Sequence, residues 1–153
     1  MLSSLLFMTL LAQKPMKVTV GDPILDLKLT NLESGEVMPL ESLIIDGFCF
    51  FMSPSCPRCQ EAFENISVLT NDFYHLFIFS GDQDKVKEFV KDKNISPDRI
   101  FMATNADLEK YDITTVPAVV AYKNNKVRVA MHGKLNYKNI YRLKHIFTKQ
   151  ITN

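Results

Sequence analysis

Residues 48–59 read Phe-Cys-Phe-Phe-Met-Ser-Pro-Ser-Cys-Pro-Arg-Cys. An apolar run that breaks at small residues and ends in two cysteines three apart decides how the rest of the chain is read. From Ile44 to Met52 nearly every residue after Asp46-Gly47 is apolar, as expected of a central strand covered on both faces. The period then changes. Ala62, Phe63, Ile66, Leu69 and Phe73 recur three or four apart, which predicts a helix whose first turn holds the cysteines. Pro57 suits its opening, because the missing N–H is not needed there and its φ is already near the helical value.

Upstream, Leu25, Leu27 and Leu29 alternate with Asp26, Lys28 and Thr30, followed by Asn31-Leu32-Glu33-Ser34-Gly35 and then Val37 before Pro39. This pattern predicts a half-buried strand, a turn and a short second strand. Downstream, His75 to Ser80 is a second buried strand. Gly81 to Asp84 supplies turn and cap residues for a helix carrying Val86, Phe89 and Val90. A third short strand is expected from Arg99 to Ala103, then a brief helix capped by Asn105 and running through Tyr111, with an interruption at Thr114 to Pro117. Ala118–Tyr122 and Val127–Met131 read as a β-hairpin through Asn124-Asn125, residues that tolerate positive φ. A helix from Tyr137 to about Lys149 closes the chain with Ile140, Leu143 and Phe147 inward. The order of elements implies an α/β fold with a mixed central sheet and helices on both faces.

At 153 residues and 46% hydrophobic, the chain fits a single domain with a core that needs no staples. Three cysteines are too few for a disulfide framework. A net charge of +1 argues against nucleic acid as a partner. The charge is nonetheless uneven, since eight Lys or Arg and no Asp or Glu lie between Lys123 and Asn153. Such an end is ordinarily a solvated face, with attraction to an acidic partner or anionic lipid as the second reading. The first twelve residues, Met1 to Ala12, are apolar enough for a signal h-region yet shorter than a spanning helix, and no Lys or Arg precedes them. Either a longer membrane segment begins upstream or export uses a weak signal. The expected division is therefore 1–17 as a signal or anchor remnant with its linker and 18–153 as the domain. The expected location is extracytoplasmic, with membrane association through the N-terminus, and cytoplasmic as the alternative.

The chemistry converges on residues 56–59. A helix N-terminus presents unpaired N–H groups and a partial positive charge, so Cys56 there should be stabilised as the thiolate that attacks a disulfide. Cys59, one turn on and on the same side, can reach that sulfur and resolve a mixed disulfide. Pro57 and Arg58 tune the pair. The Arg58 charge should favour the thiolate further, and a more stable thiolate makes the couple more oxidising. Cys49, flanked by phenylalanines, reads as an inert core thiol. His75, His132 and His145 are scattered, and a closed zinc site needs four convergent ligands, so no metal is expected. Two sequons, at Asn65 and Asn94, match by a pattern that is common by chance.

Cys56-Pro57-Arg58-Cys59 after an aromatic strand, with Tyr111-Asp112-Ile113-Thr114-Thr115-Val116-Pro117 downstream, resembles the thioredoxin superfamily. The lead-in Gly21-Asp22-Pro23 with its strand pair, and an extra strand and helix from His75 to Asn94, are similar to its TlpA/ResA-like branch, which includes MauD-type proteins. The resemblance covers about residues 18 to 149. It implies a thioredoxin-like fold with an N-terminal strand pair and an inserted strand-helix. It further implies an exposed nucleophile at Cys56, a buried resolver at Cys59, and a cis-proline at Pro117 packed against the pair. Val116 would then offer backbone hydrogen bonds to an extended substrate. The implied activity is thiol-disulfide exchange with a protein substrate, an upstream redox partner restoring the pair. The enzyme would be a monomer with no cofactor beyond the redox-active disulfide Cys56–Cys59.

Two departures stand against that pattern. Thioredoxins keep a buried Asp six residues before the first cysteine, where this chain has Phe50. ResA-like members keep a Glu three residues after the second, where this chain has Ala62. Glu61 is adjacent but should point off another side of the helix. Two alternative functions use the same fold. In a peroxiredoxin-like peroxidase Cys56 would be the peroxidatic thiolate, although the Pro and Thr of that family fall on Cys49 and Ser53. A non-enzymatic metal or haem-pathway chaperone would space its cysteines one residue wider and add a dedicated His.

Overall fold

Strand β3, Gly47–Met52, is buried at every residue and lies near the middle of a seven-stranded sheet. The structure is a computed structural model and describes residues 15–66 and 73–149. The apolar segment Met1–Ala12, Leu69 of the expected helix and Ser67 of the first sequon lie outside the described residues. Around β3 stand β1 (Lys28–Asn31), β2 (Val37–Pro39), β4 (His75–Phe79), β5 (Ile100–Met102), β6 (Ala118–Lys123) and β7 (Lys126–His132), in the order β2-β1-β5-β4-β3-β6-β7. Strands β3, β4 and β5 run parallel, while β6 and β7 are antiparallel additions on one side and β1 and β2 on the other. The mixed sheet is the one the order of elements implies.

Because successive side chains of a strand point to opposite faces, β3 feeds two cores. Phe48, Phe50 and Met52 enter one core with Phe77 and Phe79 of β4. It is covered by α1 (Pro57–Ile66), α2 (Gln83–Val90) and α4 (Tyr137–Lys149), through residues such as Ile66, Phe89 and Phe147. Cys49 and Phe51 enter the other core with Leu25, Leu27, Leu29 and Tyr122, under α3 (Asn105–Glu109) and its Leu108. Alternation therefore separates Cys49 from the cysteine pair by the thickness of the sheet.

Local chemistry sets the boundaries. Asp82 caps α2 by accepting from the Lys85 N–H at 3.1 Å. Asn136 accepts from the Asn139 N–H at 2.9 Å as α4 begins. The hairpin turns on Asn124 and Asn125 at φ 52° and 64°. Two expectations are corrected. The cap of α3 is Thr104, whose Oγ1 accepts from the Asp107 N–H at 3.1 Å, and Asn105 is the first helical residue. Leu25 and Leu27 are buried but precede β1. Gly21 and Asp22 pair with Val127 at the β7 edge, each N–H···O 2.8 Å, and β1 stands near the other edge of the sheet. Between them the Leu25 N–H donates to the Tyr122 hydroxyl at 3.4 Å, and Leu27 O accepts the Leu40 N–H at 2.9 Å just ahead of the β1–β2 pairing.

Candidate active site

β3 stops at Met52, and Ser53-Pro54-Ser55 turns the chain so that α1 starts at Pro57. The Cys56 N–H donates to Ser53 O at 3.3 Å, and Cys56 O accepts from the N–H groups of Cys59 and Gln60 at 3.1 and 3.4 Å. Cys56 thus occupies the N-cap position. The Cys59 N–H also donates to Cys56 Sγ at 3.2 Å, which places the first sulfur against the first turn of the helix. Cys56 is half-buried, Cys59 is buried, and Pro57 and Arg58 are exposed on the first turn. All three cysteines carry free thiols.

The second half of the site comes from sixty residues away. The Val116–Pro117 peptide bond is cis. The Cys56 S–H points to Val116 O at 3.7 Å. The Gly133 N–H donates to Pro117 O at 2.9 Å, tying the bend to the far end of the hairpin. All six candidate site residues, Cys56, Pro57, Arg58, Cys59, Val116 and Pro117, therefore lie at one mouth.

Burial pushes the Cys59 thiol up to about 12. The hydrogen bond with Cys56 and the charge of that sulfur add to the effect, and a backbone hydrogen bond from Ser53 opposes it in part. Burial also drives the Cys49 thiol far above its ordinary range, on the other face of the sheet. Phe50 and Ala62 are both fully packed into the core around Cys59. Phe50 lies 5.9 Å from the Phe77 ring, and Glu61 is exposed. His75 is buried, with Nδ1 3.0 Å from Phe73 O, and burial lowers its pKa. Among the described residues no group of three or more His, Cys, Asp or Glu is arranged to hold a metal ion.

Beside Cys56 opens a cavity of about 320 Å³ with Ser53 and Val116 on its wall and Asn105, Glu109 and Thr114 among its polar residues. Thr114 lies within the Tyr111–Pro117 stretch already singled out, whereas no motif marks Asn105 or Glu109 as part of a site. The place of those two depends on α3 packing under the sheet, and spacing along the chain carries no signal of it.

Half of this geometry follows from a strand-to-helix junction and half from a cis-proline bend. Together they define a thioredoxin-like α/β protein with a dithiol at a helix N-terminus. No protein-family model matches the sequence, and no curated protein matches it either. Solved structures do. A secreted Mycobacterium tuberculosis disulfide oxidoreductase homologous to E. coli DsbE shares 19% identity over 81% of this chain and 96% of its own, at a TM-score of 0.62. A Chlorobium tepidum protein assigned as the thiol:disulfide interchange protein DsbE shares 14% over 86% and 97%, at 0.67. The thiol peroxidase of Chromobacterium violaceum shares 12% over 86% and 89%, at 0.62. At such identities the likeness establishes the fold, and the chemistry has to be argued from the site.

Proposed function

We propose that the protein is a thiol-disulfide oxidoreductase acting on protein substrates through Cys56 and Cys59. The observation that carries this reading is the position of Cys56 Sγ between the Cys59 N–H in the first turn of α1 and the carbonyl of Val116. In the reducing direction the Cys56 thiolate attacks one sulfur of a substrate disulfide. The substrate S–S bond breaks, one substrate thiolate leaves and is protonated by water, and a mixed disulfide joins Cys56 to the other sulfur. Cys59 then gives up its proton and attacks Cys56 Sγ, releasing the second substrate thiolate and closing Cys56–Cys59. Two electrons have passed to the substrate, and the reverse sequence oxidises a dithiol. Val116 would hold an extended substrate strand by its backbone, Pro57 and Arg58 would tune the pair, and an upstream redox partner would reset it. The pair itself is the only redox group this scheme uses.

A Cys59→Ser variant is expected to accumulate mixed disulfides through Cys56, visible as adducts on non-reducing gels and removed by dithiothreitol. The Cys56→Ser variant should form none. Absence of adducts from the Cys59→Ser protein in its native compartment would overturn the proposal. The alternative reading is peroxidase chemistry, since thiol peroxidases share the fold, and hydroperoxide consumption by the wild type would select it. For the couple itself, the exposed Arg58 beside the helix end predicts a potential above the roughly −270 mV of thioredoxin. Equilibration with glutathione buffers measures it, and a value as low as thioredoxin's would remove Arg58 from the tuning role. An extracytoplasmic location fits this chemistry, and no helix among the described residues is long and apolar enough to cross a membrane.

A further inference from the structure

The last 31 residues hold eight Lys or Arg and no acid, whereas the first 122 hold ten Lys or Arg against seventeen Asp or Glu. Helix α4 converts this sequence asymmetry into a surface. Ile140, Leu143 and Phe147 are buried in the core. At 100° per residue, the positions diametrically opposite are Lys138, Arg142, His145 and Lys149. All four are exposed, and Lys138, Arg142 and Lys149 make this row a basic stripe about 17 Å long. Along one flank Tyr137 and Tyr141 stack at 6.3 Å and 20°, each 58% exposed. Opposite its buried side the helix presents this row of cations to solvent. A planar anionic surface fits such a ridge, and aromatic rings with a polar tip favour the headgroup zone of a bilayer.

We propose that the outward face of α4 docks on an anionic lipid bilayer. The contact is peripheral and electrostatic, because the apolar side of α4 is already committed to the core. The segment leading into α4 passes beside Pro117 through the Gly133–Pro117 hydrogen bond, four residues before the helix begins at Tyr137.

The test uses the full chain and sedimentation with vesicles of phosphatidylcholine alone or with about 30% phosphatidylglycerol, at low and high salt. Binding through the apolar N-terminal segment would be indifferent to headgroup charge, so the excess on anionic vesicles reads α4. That excess is expected to be at least tenfold at low salt and to fall as salt rises. At roughly fivefold per cation, Lys138→Glu with Arg142→Glu should bring a tenfold excess down to near parity. Both side chains are exposed, and an unchanged Tm verifies the fold of the double variant. Equal partition on both vesicle types, or an excess that survives the double substitution, would overturn the proposal. So would salt-sensitive capture by an acidic polypeptide such as polyglutamate without any vesicle binding.

Discussion

Gly47→Ala is expected to lower the thermal midpoint by roughly 10 °C or to prevent soluble protein from accumulating, although it adds a single methyl group at the end of β3 opposite the Cys56–Cys59 pair. Gly47 opens β3 at φ +142°, a region closed to L side chains without strain. A Cβ built there would lie 2.3 Å from Tyr74 O and 3.1 Å from its carbon, both backbone atoms that cannot swing aside. That carbonyl accepts the Phe48 N–H at 3.0 Å, just ahead of the β3–β4 register that pairs Phe48 with His75. Relieving the clash would pull the start of β3 from its parallel neighbour. Strain and displacement together should cost roughly 3 kcal/mol or more, which for a domain of this size is about 10 °C. Gly133→Ala is the control. Its φ is +107°, but nothing lies within 4 Å of the added carbon, so only the conformational cost of about 1 kcal/mol remains. If melting followed by circular dichroism showed the two variants equally destabilised, the steric role of Gly47 would be wrong.

That glycine illustrates where sequence reading runs out. The run from Phe48 to Met52 announces a buried strand, and the change of period after Cys59 announces the helix, because both signals are local and repeat along the chain. The same holds for Asn124-Asn125, whose positive φ values match what their side chains tolerate. The apolar run begins after Asp46-Gly47, yet the constraint on Gly47 comes from a carbonyl twenty-seven residues later. The misplaced cap of α3 has a similar origin, since Thr104 and Asn105 are both acceptable caps and the extended backbone at Thr104 decides between them. In the site, Cys56 and Cys59 are legible because chemistry needs them three apart. Val116 and Pro117 became legible through the family resemblance, and Glu109 and Asn105 not at all, because α3 reaches the mouth by tertiary packing alone. Phe50 and Ala62 were readable as departures from the resembled pattern, and their burial shows that apolar packing fills those two places.

The second large effect follows from that packing. Resolution of a mixed disulfide by Cys59 should accelerate about tenfold for each pH unit between 7 and 9, and Ala62→Glu should raise it by roughly 100-fold at pH 7. In the free dithiol the Cys59 thiol is pushed up to about 12, chiefly by burial. Only about 10⁻⁵ of it is then thiolate at pH 7. When Cys56 is tied to substrate, the contributions of its hydrogen bond and its charge vanish, yet burial remains and keeps the thiol above its ordinary value. The sign is that of an acid held protonated. Raising pH toward the elevated pKa increases the attacking fraction and the rate, and lowering pH decreases both. Position 62 is one helical turn beyond Cys59 on the same side of α1 and is buried, so a carboxylate there can take the proton directly. Inserting it into a packed core costs roughly 1–3 kcal/mol of stability, a cost that Ala62→Gln shares without supplying a base. Stopped-flow release of a chromogenic thiol from the Cys56 mixed disulfide measures the step in all three proteins. Acceleration in Glu and not in Gln, with a flatter pH profile, identifies proton removal from Cys59 as the slow event. Equal rates in the two variants would instead assign any change to altered packing around Phe50 and Cys59.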